Sequence, residues 1–213
     1  SLMLTAIIDY ESGNLHSATK AFARMALEHD AGSVVITDDA DVVARADRLI
    51  LPGDGAFAAC RQALVASEVF EALCEAVEVK ARPFLGICVG MQLMANEGFE
   101  YEPTKGLGWI SGKVQKIIPS ESQLKIPHMG WNDLILHRYH PVLSGVSSGD
   151  HAYFVHSYQM LLDEEDSLLA HVEYGGQVTA IVGRDTMVGM QFHPEKSAQI
   201  GLRMIANFLK WTP

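Results

Sequence analysis

A cysteine stands between two glycines in FLGICVGMQ, Phe84 to Gln92, at the end of an apolar run. Much later the chain reads GMQFHPEKS, Gly189 to Ser197, with a histidine and a glutamate separated by one proline. Taken alone, Cys88 reads first as a small buried hydrophobe, the commonest fate of a free cysteine. Its flanks point elsewhere. Gly-Ile-Cys-Val-Gly has the G-x-nucleophile-x-G form of a strand-to-helix elbow, a turn so tight that the neighbours must be small. Such a bend lifts the thiol above the strand ends, and partial positive charge at the helix start favours the thiolate, the reactive form. The amide of Val89 would then point at an oxyanion formed on an attacked carbonyl.

A thiol nucleophile needs a base to deprotonate it and an acid for the leaving group, and histidine can be both. In an extended segment, residues two apart share a side, so His193 and Glu195 can stand together. The carboxylate would orient the ring and stabilise its charged form. Singly, His193 reads equally as a surface or cap histidine, and Glu195 as a first-turn helix acid. Elbow and His-Pro-Glu in one chain point to cysteine-dependent acyl transfer. Cys60 and Cys74 fall inside helical patterns and read as packing residues. His137 with His140, and His151 with His156, raise the question of a metal. No Cys-x-x-Cys or His-Glu-x-x-His accompanies them, so no metal and no cofactor are expected.

The elements around these residues follow from the apolar pattern. LTAII, SVVIT, RLILP and PFLGI read as buried strands. Helical patterns separate them, over Asn14–His29, near Asp41–Ala46, in two stretches within Ala56–Lys80, and from Cys88 to about Asn96. That alternation implies parallel strands joined by helical crossovers. In the second half, GKVQKII, NDLIL, AYFVHSY, SLLAHVEY, VTAIVGR and TMVGMQF are short strands between turn residues, expected as an antiparallel part of the same sheet. A last amphipathic helix spans Ala198–Lys210. The economical reading is one α/β domain over 1–213: a mixed, mostly parallel central sheet with helices on both faces.

The chain has 213 residues, 48% apolar and 20% charged, which suits one sizeable core. A formal charge of −10 argues against a nucleic-acid backbone as partner. The acidic clusters DEEDS and TDDAD read as solvated loops or helix caps. No apolar stretch is long enough to span a bilayer, and SLMLTAIIDY has neither a basic leader nor a cleavage site. Ser1 and Leu2, ahead of Met3, read as an appended remnant. With three cysteines and no disulfide framework, a reducing cytoplasm is expected.

The elbow and the late His-Pro-Glu resemble those of the class I, triad-type glutamine amidotransferases. More narrowly, DYESGNLHSATKAF, LPGDGAF, IPHMGWN, YFVHSY and QFHPEKS are similar, nearly end to end, to the glutaminase subunits of imidazole glycerol phosphate synthase. DYESGN and IPHMGWN are the specific part, since the whole class shares the elbow. The resemblance implies a flavodoxin-like layout and hydrolysis of glutamine to glutamate at Cys88. Ammonia would pass to a separate (β/α)8 cyclase subunit. That partner would convert a phosphoribulosyl-formimino-carboxamide ribonucleotide to imidazole glycerol phosphate and an aminoimidazole carboxamide ribotide, in histidine biosynthesis.

The resemblance also implies roles for further positions. Gly53 and the PGDG backbone would complete an oxyanion hole with Val89. Gly55, Gln92, Ser157 and Tyr158 would line the glutamine site, and Asn14, Tyr153 and Lys196 would face the cyclase. Read without it, these are turn glycines, a helix-surface glutamine, strand-end residues and a solvated lysine, and PHMGWN is a turn with a buried Trp131. One departure stands out. The family more often has an apolar residue where this chain has Asp54. A carboxylate aimed at an anionic intermediate would raise the barrier, so the side chain is expected to turn away. With glycine on both sides the peptide reorients cheaply, so the hole is expected to be incomplete in the isolated chain and completed when a partner docks.

Two other classes fit parts of the pattern. A cysteine hydrolase, peptidase or deglycase of similar layout often has histidine directly after the elbow cysteine, where this chain has Val89. A non-catalytic regulator would have no need of Cys88, His193 and Glu195 together. A pyridoxal-phosphate-forming glutaminase is nearer, but is not expected to carry DYESGN.

Overall fold

Strands and helices alternate through the first half because fully apolar runs and amphipathic stretches do. The computed structural model describes residues 3–213; Ser1 and Leu2 lie outside the described residues. In chain order come β1 (Leu4–Ile8), α1 (His16–Glu28), β2 (Ser33–Thr37), α2 (Ala40–Arg45), β3 (Arg48–Leu51), α3 (Phe57–Ala66) and α4 (Phe70–Cys74). A π-helical turn over Glu75–Val79 continues α4. Then follow β4 (Phe84–Ile87), α5 (Val89–Gln92), β5 (Glu97–Gly98), β6 (Thr104–Lys105), β7 (Gly112–Lys116), β8 (His128–Asp133) and β9 (Ile135–Leu136). The chain ends through β10 (His151–His156), β11 (Tyr158–Leu162), β12 (Leu168–Glu173), β13 (Gln177–Arg184), β14 (Met187–Met190) and α6 (Ala198–Lys210).

The main sheet has eight strands in the order β2-β1-β3-β4-β14-β13-β12-β9. From β2 to β14 every pairing is parallel; from β14 to β9 every pairing is antiparallel. α1 packs against α6, and α2 and α3 against α4, which supplies a helical layer for each face. Phe22, Phe84, Phe154, Phe192 and Phe208 are fully buried in the core between. Because β1, β3, β4 and β14 are parallel, the loops that leave their carboxyl ends share one rim of the sheet. In open α/β sheets that rim is where ligands bind.

The mixed sheet agrees with the pattern, but not all the later strands join it. GKVQKII forms β7 in a separate four-stranded sheet, β11-β7-β5-β6, and AYFVHSY forms β10, paired only with β8. Their burial alternates, in contrast to the continuous burial of β3, β4 and β13. Strands apolar on one face pack at the periphery; strands apolar on both faces fill a sheet covered on both sides. PHMGWN, read as a turn around a buried tryptophan, is instead strand β8, and Trp131 is 55% exposed.

The helix expected from Cys88 to Asn96 stops at Gln92. The carbonyls of Leu93, Met94 and Ala95 are taken by the amides of Leu107, Trp109, Ile110 and Gly108, so the backbone cannot continue its own ladder.

Candidate active site

Cys88 follows β4 with φ +56° and ψ −118°, a conformation few side chains adopt. The flanking glycines are sterically required. A Cβ on Gly90 would lie 1.9 Å from the Leu51 carbonyl oxygen, and one on Gly86 would lie 2.7 Å from that of Gly90. The elbow wedges between β3 and its own first helical turn. Cys88 itself is only 5% exposed.

The His193-Pro-Glu195 turn after β14 brings the base to the same rim. His193 Nδ1 is 2.9 Å from Glu195 Oε1, and Cys88 is near enough to the ring to influence its titration. Burial alone would lower the imidazole pKa. The influence of Cys88 and the hydrogen-bonded Glu195, with their charges, overrides it and pushes the pKa up to about 10. Ser197 Oγ donates to the His193 carbonyl at 2.8 Å and accepts from the Tyr153 amide at 3.0 Å, which fastens the turn to β10. Gly201 on α6 lies beneath it: a Cβ there would be 1.8 Å from the Pro194 carbonyl oxygen. The hydrogen-bonded pair His193–Glu195 therefore stands beside Cys88, although the pair lies more than a hundred residues further along the chain.

A pocket of about 150 Å³ opens beside the thiol, lined among others by Gly55, Gln92, Glu100, Ser157 and Tyr158. All four positions expected to line a glutamine site are on its wall. Gln92, read otherwise as a surface residue, is 3% exposed, because α5 is buried on every side. A second pocket of about 180 Å³ shares Asp54 with the first and is lined by Asn14, Gly53, His193, Glu195 and Lys196. Asn14 and Lys196 are exposed and Tyr153 is half-buried, its ring 5.6 Å from that of Trp131.

The oxyanion position differs from the simple expectation for Val89. Its amide is not free to meet a ligand: it donates to the Gly53 carbonyl at 3.2 Å. Gly53 is held in place, since a Cβ on it would be 2.6 Å from the Gly90 nitrogen. The Gly53 carbonyl thus occupies the position in front of the Val89 amide. Asp54 faces the loop after β1: a methyl on Gly13 would lie 3.3 Å from its Cβ and 3.7 Å from its Oδ2.

Several residues at the site escaped the sequence reading. Gln191 is fully buried; its Nε2 faces Cys88 Sγ at 3.8 Å, and its Oε1 accepts from Gln92 Nε2 at 3.0 Å. The Gln92 amide also donates to the Tyr158 carbonyl at 3.2 Å. That carbonyl accepts from His156 Nδ1 at 2.8 Å, so the proton of His156 is on Nδ1 and its Nε2 accepts from His128 Nδ1 at 2.9 Å. The histidines therefore pair differently from their sequence spacing: His156 with His128, and His137 with His171 at 2.6 Å. No group of three or more metal-ligating side chains forms among the described residues. Glu100 Oε2 accepts from the Phe57 amide at 2.9 Å, capping α3 from across the pocket. Tyr10 and Cys60 are buried behind the Pro52–Gly55 segment. A glutamate or a glutamine carries no spacing signal of its own, and only the fold brings these to the thiol.

Comparison with known proteins gives the family. The family described as Glutamine amidotransferase class-I matches residues 6–211. "Imidazole glycerol phosphate synthase subunit HisH" of Ruegeria pomeroyi is 66% identical over 99% of this chain and 100% of its own length. The proteins of that name from Cereibacter sphaeroides and Brucella abortus are 61% and 56% identical, each over 99% of this chain and 100% of their own. Among solved structures, a glutamine amidotransferase aligns with a TM-score of 0.70 at 17% identity, covering 97% of this chain and 99% of that one. Another, from Thermotoga maritima, aligns at 0.62 and 15%, over 94% of this chain and 79% of its own. These two are similar in fold.

Proposed function

The chain belongs to the class-I glutamine amidotransferases and, within them, to the HisH subunits of imidazole glycerol phosphate synthase; from that premise we propose that its 213 residues act as one glutaminase domain. It hydrolyses glutamine at Cys88 and passes the ammonia to a (β/α)8 cyclase subunit in histidine biosynthesis. The observation that carries the reading is the hydrogen-bonded pair His193–Glu195 next to Cys88, beside a pocket sized for one small substrate.

The chemistry follows from the geometry. Glutamine enters the pocket lined by Gly55, Gln92, Ser157 and Tyr158, with its side-chain amide carbon against Cys88 Sγ. His193 holds the thiol proton while Glu195 fixes the ring, and sulfur attacks the carbon. The electron pair moves to oxygen, which needs two backbone donors: the Val89 amide, and one turned inward from the Gly53–Asp54 segment. His193 then protonates the departing nitrogen; ammonia leaves and a thioester remains. Water, deprotonated by His193, attacks the thioester, glutamate is released and the thiol is restored. Release through the second pocket would carry ammonia past Asn14 and Lys196 to the surface where the cyclase docks. Exposed Met129 and Trp131 beside Tyr153 extend that surface. Three free thiols fit a reducing cytoplasm.

The test is Cys88→Ala assayed with the cyclase. Glutamine-dependent product should vanish while added ammonia still supports turnover. Loss of both activities, or of neither, counts against the assignment.

A further inference from the structure

Gln191 follows β14 at the point where two neighbouring strands fix it against the thiol. Its backbone amide donates to the Ala180 carbonyl at 2.9 Å, continuing the ladder with β13, and the Cys88 amide donates to the Met190 carbonyl at 2.8 Å. The backbones of Gln191 and Cys88 are therefore held in one register. In QFHPE, Gln191, His193 and Glu195 take every second position, and Phe192 between the first two is fully buried in the core. The alternation that sends Phe192 into the core turns Gln191 toward the sulfur.

Neighbours decide which end of the Gln191 amide meets Cys88. The Tyr158 carbonyl can only accept, so the atom that Gln92 turns to it at 3.2 Å is the nitrogen. The same nitrogen lies 3.0 Å from the Gln191 side chain, which must offer its oxygen. What remains for Cys88 Sγ, at 3.8 Å, is the Gln191 Nε2 donor. Gln191 is 1% exposed and Cys88 5%, so little water competes for the contact. A hydrogen bond to an ionised acceptor is roughly twice as strong as one to a neutral acceptor. The donor therefore favours thiolate over thiol.

We propose that Gln191 is a fixed donor to the nucleophile, stabilising the Cys88 thiolate once His193 has taken its proton, with Gln92 keeping the amide aimed. The proton passes from Sγ to His193 Nε2, the ring nitrogen that Glu195 leaves free, and Gln191 makes and breaks no covalent bond. The proposal rests on the glutaminase reading above for the role of Cys88. It also joins the wall of the glutamine pocket, through Gln92, to the sulfur.

The experiment follows alkylation of Cys88 by iodoacetamide against pH in the full chain, for the parent, Gln191→Met and Gln191→Asn. Burial holds Cys60 and Cys74 protonated, pushed up to about 11 and about 12, so reaction near neutral pH reports Cys88, and peptide mass spectrometry locates the adduct. Methionine is close to glutamine in volume and has no N–H to donate. Asparagine keeps an amide but withdraws it by one methylene, and serves if the methionine variant fails to fold. Either should move the acid limb of the profile up by about one pH unit, the tenfold loss expected for a donor to a charged group. In the complex with the cyclase, kcat for glutamate release near neutral pH should fall about tenfold while KM changes less than about threefold. A glutamine that merely filled the core would leave the alkylation profile in place, so a profile superposed on the parent's in either folded variant overturns the proposal. Alkylation needs no glutamine. If the parent complex releases no glutamate, the glutaminase reading fails and the profile still decides the Gln191 contact; if glutamate is released and the profiles coincide, only this inference fails.

Discussion

His193 Nδ1 meets Glu195 Oε1 at 2.9 Å across one proline, with the two side chains 14% and 6% exposed. The short turn leaves the carboxylate no other described partner, and its Oε2 has none. A neutral amide in that place would still fill the space but would not stabilise the imidazolium, and it could hold the wrong tautomer. Glu195→Gln should lower kcat for glutamate release by about 10²- to 10⁴-fold with little change in KM. Steady-state kinetics of the complex with the cyclase check this; a loss below tenfold would remove Glu195 from the machinery.

Glu100 lines the pocket beside Gln92 and Tyr158 while one oxygen caps α3 through the Phe57 amide. A glutamine bound there, as proposed, would bring an ammonium group into a pocket whose lining carboxylates are Glu100 and Asp54. Glu100→Gln keeps an oxygen for the cap and removes only the charge. KM for glutamine should rise about ten- to a hundredfold, as expected for losing a hydrogen bond to a charged group, with kcat changed much less. Glutamine titrations of the variant give the answer, and an unchanged KM would show that the carboxylate does nothing but cap the helix.

Much of this was legible in the chain, for identifiable reasons. Strands β1, β3 and β4 read directly because runs apolar on both faces have few alternatives, and Gly86 and Gly90 announced the elbow because no side chain fits there. His193 and Glu195 were found because they are two apart. Gln191 and Glu100 were not, since their roles depend on strands and loops that meet only in the folded molecule. The end of α5 was missed because residues 107–110, far along the chain, take its carbonyls. Trp131 was misjudged for a related reason: composition says a tryptophan wants cover, but strand register puts this one on the outer face of β8 beside Tyr153.

Gly201 lets α6 approach the His193 turn closely. A Cβ there would overlap the Pro194 carbonyl, a backbone atom that no rotamer change can move aside. Gly201→Ala should push the His193 turn off its place, costing about 1–3 kcal/mol of stability and at least tenfold in kcat. Thermal melts and turnover measured on the same preparation test it. Parental kcat in a folded variant would show that α6 does not position the triad.

The pair His128 and His156 supplies a pH dependence of its own. Burial holds both imidazoles near pKa 4, down from 6.5, with the nearby His128 a further lowering influence on His156. Their hydrogen bonds run one way, from His128 Nδ1 to His156 Nε2 and from His156 Nδ1 to the Tyr158 carbonyl, so a second proton on His156 would set two donors against each other. The unfolded chain takes up those protons near pH 6.5 and the folded chain only near pH 4. Between these values the unfolded state binds more protons, and stability must fall as the pH is lowered through that window. Above pH 6.5 the contribution is fully present. Other carboxylates also titrate in acid, so the discriminating measurement is a difference: unfolding free energy against pH for the parent and for the double variant His128→Gln, His156→Gln. The variant should be less stable at pH 7 and show a shallower decline from pH 6.5 to 4. Because Tyr158 also receives the Gln92 amide, its KM for glutamine should rise as well. Parallel stability curves would show that the two imidazoles are not held neutral by the fold.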